Sequence, residues 1–308
     1  MKVFRSLEQL KSIRNPVVTT GSFDGVHVGH KTIINRLSRL AKEVNGESAL
    51  ITFHPHPRRV LYPNTQGKDL LLINTQREKI EMLRKAGLDN VIILEFTLEF
   101  AQTSSIDFVR KILVDALHAK RIVVGFNHFF GHNREGNYEF LHELGEYYNF
   151  KVEEIPEQDI HNEAVSSTKI RKAIFDGDIQ KANAYLDHHY IIMGQLSKSD
   201  PLLYKIGFPG YLVKSEEDSK LYPPTGLYAI NAEVEGDFFK GMCFIRRAEN
   251  ALDTLVDVQL FDAPDNLLGR NVMLYFYKFI RGERQISGET ELQSQLRIDK
   301  QVIDDLIY

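Results

Sequence analysis

Two histidines, His27 and His30, end the run Gly-Ser-Phe-Asp-Gly-Val-His-Val-Gly-His that follows the apolar residues 16–20. Apolar residues then recur at helical spacing from Ile33 to Val44, so the pattern places both imidazoles at the start of a helix. Such a helix N-terminus presents unpaired backbone N–H groups and a positive dipole end, which favour a phosphate. Two imidazole donors at a nucleotide α-phosphate would stabilise the charge that develops as pyrophosphate leaves. The spacing predicts nucleotidyl transfer, although a histidine pair can also simply cap a helix.

A second polar group, Ser166, Ser167 and Thr168, stands at the start of another predicted helix and is followed by Lys169 and Arg171. Hydroxyl and N–H groups at a helix start, together with fixed positive charge, suit the β- and γ-phosphates of a nucleotide. Taken alone, the segment is equally compatible with an ordinary Ser/Thr N-cap beside a solvated arginine. Together with the histidine pair, it favours a nucleoside triphosphate.

Two further polar segments follow predicted strands. Residues 52–58 read Thr-Phe-His-Pro-His-Pro-Arg, and residues 125–131 read Gly-Phe-Asn-His-Phe-Phe-Gly. Ligands of open parallel sheets bind at the carboxyl ends of the strands, and aromatic rings suit a planar ligand. The histidines of both segments can also be interpreted as a metal cluster, but neither spacing matches a known zinc motif. We therefore predict no metal site formed by protein ligands alone.

The elements that must position these residues alternate between strand and helix through the first half of the chain. Short β-branched runs predict strands, and amphipathic runs between them predict helices. The predicted strands are 17–20, 49–53, 90–94, 121–125 and 151–155, and the predicted helices are 30–44, 77–86, 106–117 and 138–148. This alternation predicts an α/β fold with a doubly wound, Rossmann-like parallel sheet.

The pattern changes after a predicted helical stretch at 168–186. Short alternating strands divided by turn residues follow at 190–193, 227–234, 240–245, 255–261 and 271–277. They predict a small antiparallel β-barrel, and the amphipathic run 290–307 predicts a terminal helix. We therefore predict two domains, residues 1–187 and 188–308.

The composition is that of an ordinary globular protein, with 43% hydrophobic and 26% charged residues. The formal charge is −4 and no basic patch is evident, so we expect no nucleic-acid partner. Cys243 is the only cysteine, which excludes an intramolecular disulfide, and its apolar surroundings predict a buried strand position. No apolar run reaches the roughly 18 residues of a membrane span, so we expect no membrane partner and a cytoplasmic location.

The four ordered motifs resemble those of the bacterial bifunctional riboflavin kinase/FMN adenylyltransferase (FAD synthetase) family, and the resemblance covers nearly the whole chain. It implies that AMP passes from ATP to FMN, giving FAD and pyrophosphate with the assistance of Mg²⁺. It also implies that His27 and His30 act at the α-phosphate, and that Asn127 stands where many members have Asp. The remaining implied site residues are Gly21, Ser22, Phe23, Asp24, Gly29, Ser166, Ser167, Thr168 and Arg171 for ATP and phosphate, and His54, Pro55, Arg58, Asn127 and Phe129 for FMN.

The second half is similar to the riboflavin-kinase barrel of the family but departs from it at the catalytic positions. Family members follow Gly-Phe-Pro with Thr-Ala-Asn, whose Thr and Asn hold Mg²⁺-ATP, whereas this chain has Gly210 and Leu212. Ser199 and Leu203 fill glycine places of the phosphate loop, and Asp257 replaces the catalytic Glu with a shorter side chain. We therefore expect FMN adenylyltransferase activity, with doubtful riboflavin kinase activity.

Three alternatives stay open. A fully bifunctional enzyme would also phosphorylate riboflavin, with Asp200, Glu216 or Asp218 supplying a relocated ligand. A flavin- or nucleotide-binding protein would have lost catalysis in both halves, but the intact His27 and His30 weigh against it. A cytidylyl- or pantetheine-phosphate-type transferase would share the His-x-Gly-His motif, but the barrel weighs against that reading.

Overall fold

The computed structural model describes residues 1–10, 12–125, 129–155, 163–247, 254–264, 266–285 and 287–307, together with the backbone of residues 159–160. For residues 163–164 the description is likewise limited to the backbone. The chain forms two compact units. Unit 1 comprises Met1–Leu70 and Lys79–Ser166, and unit 2 comprises Leu71–Glu78 and Ser167–Tyr308.

Unit 1 is built on a six-stranded parallel sheet. Its strands are β1 (Lys2–Phe4), β2 (Val17–Thr20), β3 (Ser48–His54), β4 (Asn90–Glu95), β5 (Arg121–Gly125) and β6 (Lys151–Ile155). The spatial order is β1-β4-β3-β2-β5-β6, and every neighbouring pair is parallel. The chain runs outward from β2 to β4 and returns to place β5 on the other side of β2. This reversal beside β2 is where doubly wound sheets bind ligands, and the predicted α/β fold is confirmed.

Helices cover both faces of this sheet. They are α1 (Val28–Glu43), α2 (Pro57–Leu61), α3 (Gln76–Lys85), α4 (Ser105–Asp107) and α5 (Tyr138–Tyr148), and α4 continues as the π-helical segment Phe108–Ala116. α1 buries Ile34 and Leu37 beside β2, while Phe108 and Ile112 pack with Val18 on the other face. A pair of two-residue antiparallel strands, β7 (Asp159–Ile160) and β8 (Glu163–Ala164), follows β6. The three-residue β1 was not predicted, because it is too short to show an apolar pattern.

Unit 2 contains a closed six-stranded antiparallel barrel. The strands are β9 (Tyr190–Lys198), β10 (Tyr211–Lys214), β11 (Gly226–Val234), β12 (Asp237–Arg247), β13 (Thr254–Leu260) and β14 (Asn271–Arg281), in the order β10-β13-β12-β11-β14-β9. Its helices are α6 (Ser167–Phe175), α7 (Ile179–Leu186), α8 (Pro201–Lys205) and α9 (Glu289–Leu306). The predicted barrel and terminal helix are confirmed, and Cys243 is buried in β12 as expected. The predicted helix 168–186 is in fact two helices, because Gly177 has a φ of 80° and Asp178 caps α7.

The segment Leu71–Glu78 is attached to unit 2 by a buried ion pair. Lys220 and Glu78 have fully buried side chains, and 2.6 Å separates Lys220 Nζ from Glu78 Oε2. Lys220 Nζ also donates to the carbonyl oxygens of Ile73 and Ile191, each at 2.7 Å. A buried ion pair is stable only when its polar atoms are satisfied in this way. The division at residues 187 and 188 stays a prediction about functional modules.

Candidate active site

The run from Gly21 to His30 leaves the carboxyl end of β2, turns, and enters α1 at Val28. Within the turn, Phe23, Gly25 and Val26 have φ values of 48°, 91° and 41°. A positive φ is rare for a β-branched residue such as valine, and each such residue costs about 1–3 kcal/mol. Strain of this kind concentrates at ligand-binding sites, where the surrounding structure maintains it. The turn is therefore held in one defined shape.

Three rings of this turn are stacked. The ring centroids of Phe23 and His30 are 4.4 Å apart and those of His27 and His30 are 3.7 Å apart, with interplanar angles of 19° and 18°. His27 is buried, whereas His30 is partly buried. Among the described residues, none forms a hydrogen bond with the buried Nδ1 atom of His30. The structure thus brings together the two predicted catalytic histidines.

The predicted glycines make room for these rings. A Cβ atom at Gly29 would lie 3.3 Å from Cε1 of His27, and one at Gly21 would lie 3.1 Å from the Phe23 ring. Both distances are tighter than ordinary carbon contacts, so an alanine at either position would push a ring. Gly21 and Gly29 therefore act by allowing the stack to form.

The N-terminus of α1 is open to an anion. In the described part of the chain, the N-cap residue His27 forms no side-chain capping hydrogen bond, and no acidic residue occupies the first turn. The helix has 16 residues, so its aligned peptide dipoles give the N-terminus a partial positive charge. The backbone and the histidine stack can together stabilise a phosphate.

Burial lowers the pKa of His30 well below its ordinary value of 6.5, and the charges of His27 and Lys79 lower it further. His30 is therefore neutral at pH 7 and carries one ring N–H. A bound polyphosphate would offset the positive neighbours and thereby favour the protonated ring.

Lys79 of α3 contacts this turn, a contact that no sequence pattern predicts. Its side chain is buried, and its Nζ atom donates to the carbonyl oxygen of Ser22 and to Oγ1 of Thr52, both at 3.2 Å. Lys79 stands in the charged run Arg77-Glu-Lys79, which in sequence looks like an exposed helix face. Only the structure shows that Glu78 and Lys79 of this charged run are both buried.

Mg²⁺ is usually held by phosphate oxygens, water and one or two carboxylates. Asp24 is the carboxylate within the turn, and its side chain is buried. In the parts of the chain that the structure describes, no group of three or more His, Cys, Asp or Glu side chains could hold a metal. A Mg²⁺ ion at this turn would therefore have to be held mainly by the phosphates of a bound nucleotide, with Asp24 as the nearest carboxylate in sequence. A membrane-crossing helix is likewise not found among the described residues.

The predicted FMN-binding residues lie on both sides of the turn. His54 ends β3 and Phe129 follows β5, and these two strands flank β2. His54, Pro55 and Arg58 are exposed, and the guanidinium carbon of Arg134 lies 4.6 Å from the centroid of the exposed Phe129 ring. The predicted residue Asn127, like His128, lies outside the described residues.

The second predicted phosphate-binding group, residues 166–171, has members in both units. Ser166 is the last residue of unit 1, and Ser167 is the first residue of α6 in unit 2, as the sequence predicted for a helix start. Thr168 is exposed, and Nε of Arg171 donates to the carbonyl oxygen of Leu71 at 2.9 Å. These contacts orient Arg171 within unit 2.

The predicted kinase base Asp257 is already occupied by protein partners. Its carboxylate accepts a hydrogen bond from Oγ of Ser199 at 2.8 Å and a second one from Nε of Arg246. Asp257, Arg246 and Gln259 line a cavity of about 470 Å³ in unit 2. The arginine was not predicted from the sequence, since nothing in the run Cys-Phe-Ile-Arg-Arg marks it as a partner of Asp257.

The segment before β10 forms the short helix α8 and not an open loop. Asp200 caps this helix by accepting a hydrogen bond from the N–H of Leu202 at 2.9 Å. A Cβ atom at Gly210 would lie 3.4 Å from Cδ1 of Leu203 and 3.3 Å from the carbonyl oxygen of Val258. The carboxylate of Asp200 thus lies at the N-terminus of α8, and a larger residue at position 210 would crowd Leu203.

Comparison with known proteins gives two family models that together match most of the chain. A FAD synthetase model matches residues 9–169, and a riboflavin kinase model matches residues 186–307. The bifunctional riboflavin kinase/FMN adenylyltransferase of Bacillus subtilis is 34% identical over 96% of this chain and 92% of the relative. The protein of the same name from Haemophilus influenzae is 31% identical over 97% of each chain.

One solved structure extends the likeness to the whole fold. It is a crystal structure described as a macrolide-efflux protein from Streptococcus pneumoniae, with a TM-score of 0.86 over 98% of both chains. Its sequence identity is 24%, so this similarity shows the fold alone.

Proposed function

The chain belongs to the family of bifunctional riboflavin kinase/FMN adenylyltransferases, and on that premise we propose that it transfers AMP from ATP to FMN, producing FAD and pyrophosphate. The observation that carries this proposal is the stack of Phe23, His30 and His27 at the N-terminus of α1. It combines ring N–H donors, backbone N–H donors and a helix dipole at one place, which suits an α-phosphate.

The adenylyl transfer requires stabilisation of negative charge more than it requires proton transfer. An oxygen of the FMN phosphate forms a bond to the α-phosphorus of ATP, while the bond from that phosphorus to the bridging oxygen breaks and pyrophosphate leaves. The attacking phosphate is already an anion at neutral pH, so no base has to remove a proton. His27 and His30 stabilise the charge on the non-bridging oxygens, and bound Mg²⁺ supplies further neutralisation of the triphosphate.

We further propose roles for the residues around the turn. Ser166, Ser167, Thr168 and Arg171 would hold the departing pyrophosphate, which the helix start at Ser167 supports. His54, Pro55, Arg58, Asn127 and Phe129 would hold FMN, and the exposed positions of His54 and Phe129 beside the strands that flank β2 support this role. Because the proposed reaction uses ATP and a free flavin, we propose that the protein acts in the cytoplasm.

The barrel, in our proposal, phosphorylates riboflavin slowly or not at all. The carboxylate oxygens of Asp257 that would accept the riboflavin hydroxyl proton are engaged by Arg246 and Ser199. Gly210 and Leu212 offer no side-chain oxygen at the positions where the family resemblance expects the ligands of Mg²⁺-ATP. The match of the riboflavin kinase model to residues 186–307 supports the alternative, a fully bifunctional enzyme.

The proposed activity is tested by incubating the full chain with FMN, Mg²⁺ and either ATP or CTP, and following FAD and pyrophosphate. We expect equal amounts of FAD and pyrophosphate with ATP and no FAD with CTP. His30→Ala should lower the rate about 10²- to 10³-fold, because it removes a donor to the developing charge. The exposed histidine of α5 provides a matched control, His142→Ala, which should leave the rate unchanged. Failure of the wild-type chain to form FAD from ATP and FMN would overturn the proposal.

A further inference from the structure

The segment 129–136 of unit 1, which comes after β5, is attached to the start of α4. The N–H and the hydroxyl of Ser105, the first residue of α4, both donate to Oε1 of Glu135, at 2.8 and 3.1 Å. These hydrogen bonds hold the pKa of Glu135 below its ordinary value, so its side chain is a carboxylate at neutral pH. The N–H of His132 donates to the carbonyl oxygen of Thr103 at 2.9 Å. Side-chain and backbone hydrogen bonds therefore join the segment to the helix start.

The backbone of this segment is strained where it approaches α4. Gly131, Asn133 and Arg134 have φ values of 76°, 51° and 60°. A Cβ atom at Gly131 would lie 2.7 Å from the Cα atom of Ser105, so this close approach requires glycine. Positive φ values at residues other than glycine are unfavourable and persist only where the surrounding contacts maintain them, often at ligand-binding sites. The contact with Ser105 is one that maintains this shape.

The attached segment presents one aromatic ring at the surface and anchors the next ring in the core. The Phe129 side chain is 45% exposed, and the guanidinium carbon of Arg134 lies 4.6 Å from the centroid of its ring. Phe130 is buried, and its ring centroid is 5.9 Å from that of Phe108. A large exposed aromatic ring after a strand that flanks β2 suits stacking on a planar ligand, such as the ring system of a flavin.

We propose that Glu135 is a positioning residue for FMN, which fixes the segment 129–136 so that the Phe129 ring is in place before the flavin ring packs on it. The inference rests on the proposed function, since it assigns Glu135 to the FMN side of that reaction. A segment that is ordered before binding loses less conformational entropy when the ligand binds, so the affinity is higher. Because Glu135 acts through Phe129, its loss should weaken FMN binding and leave ATP binding and the chemical step largely unchanged.

The first measurement is the Kd of the full chain for FMN in the absence of ATP, from the quenching of flavin fluorescence. Glu135→Ala should raise this Kd about 10-fold, because the segment must then be ordered on binding. Glu135→Gln keeps an oxygen that can accept from Ser105 and should retain most of the affinity. Ser105→Ala removes one of the two hydrogen bonds and should raise the Kd less than Glu135→Ala does.

The second measurement compares the kinetic constants of FAD formation. In Glu135→Ala, the KM for FMN should rise by a factor similar to that of the Kd, while kcat and the KM for ATP change less than about twofold. A general loosening of unit 1 would change all three constants. Glu143 is an exposed glutamate of α5, so Glu143→Ala is the matched control for loss of one negative charge.

A double variant shows whether Glu135 acts through the Phe129 ring. Phe129→Ala should weaken FMN binding, and adding Glu135→Ala to it should weaken binding no further, since the ring to be positioned is gone. Any FMN bound by unit 2 contributes equally to all of these variants.

The proposal is overturned if Glu135→Ala binds FMN as tightly as Glu143→Ala does, if its effect simply adds to that of Phe129→Ala, or if kcat and the KM for ATP change as much as the KM for FMN. If Glu135→Ala does not fold, Ser105→Ala decides, and an unchanged Kd in that variant contradicts the proposal. If the wild-type chain makes no FAD, the adenylyl-transfer proposal fails, while the Kd values still test the role of Glu135 in FMN binding.

Discussion

His30 sits between Phe23 and His27, with ring centroids 4.4 and 3.7 Å from its own. The stack removes water from both faces of the imidazole, and the neighbouring positive charges oppose its protonation. A neutral His30 avoids a repulsive cluster of cations in the free protein. The same ring gains donor strength when an anion arrives, so the residue is suited to a charge that appears only during reaction.

This state of His30 predicts how stability depends on pH. Because the pKa of His30 lies below 6.5 in the folded chain and near 6.5 in the unfolded chain, the unfolded state binds more protons as the pH falls. His30 therefore lowers the free energy of unfolding below about pH 6.5 and has no such effect above it. In His30→Gln, the loss of stability between about pH 7 and pH 5 should be smaller than in wild type. Urea unfolding of both proteins across this range checks the prediction, which identical slopes would refute.

At the scale of elements, the turn after β2 and the first turn of α1 act as one structure. The turn contains three residues with positive φ, namely Phe23, Gly25 and Val26, and α1 begins at the histidine stack. α1 is anchored in turn by Ile34 and Leu37, which are fully buried. The strained turn is thus supported by a well-packed helix, which is how a functional site can tolerate unfavourable backbone geometry.

At position 29, an alanine would suit the helix but would crowd the ring of His27. Alanine is favoured over glycine inside a helix by about 1 kcal/mol, so Gly29→Ala should not lower the free energy of unfolding. The new Cβ atom would nevertheless lie 3.3 Å from the His27 ring and displace it. We expect FAD formation to slow about 10-fold or more, because a misplaced catalytic group loses much of its effect. Asn35→Ala on the exposed part of α1 is the control, and equal rates in both variants would show that the His27 position is unimportant.

At the scale of the whole molecule, the compact units do not follow the order of the sequence. Residues 71–78, from the first half of the chain, belong to unit 2 with residues 167–308. Glu78 provides the carboxylate for Lys220, and its other oxygen accepts the N–H of Met193 at 2.8 Å. A fragment of residues 188–308 would therefore contain a buried lysine without its carboxylate.

Removing one partner of the buried ion pair between Glu78 and Lys220 should strongly destabilise unit 2. Lys220→Met leaves a buried carboxylate unpaired, and we expect it to lower the free energy of unfolding by about 3–5 kcal/mol. The double variant Glu78→Gln/Lys220→Met should recover part of this loss, because no buried charge remains. The control is Lys205→Met, which breaks a largely exposed pair with Glu289 and should cost at most about 1 kcal/mol. Denaturant unfolding gives these values, and equal losses in Lys220→Met and Lys205→Met would contradict the prediction.

The sequence predicts what depends on local pattern. The longer strands and helices and the histidine turn follow from periodicity and glycine placement, and His27 lies beside His30 at a helix start as this pattern predicts. Contacts between distant residues have no such signal. The burial of Lys79, the pairing of Arg246 with Asp257 and the place of residues 71–78 in unit 2 depend on how the chain folds back on itself.

We propose that the first half of the chain is catalytically complete and that the barrel is not, so that the enzyme would use FMN but not riboflavin. The most direct test supplies the full chain with ATP and Mg²⁺ and either riboflavin or FMN, and follows FMN and FAD by chromatography. Our account predicts rapid FAD formation from FMN, and neither FMN nor FAD from riboflavin at a comparable rate. Formation of FMN from riboflavin at a rate similar to that of FAD from FMN would contradict it and show that the barrel is a working kinase.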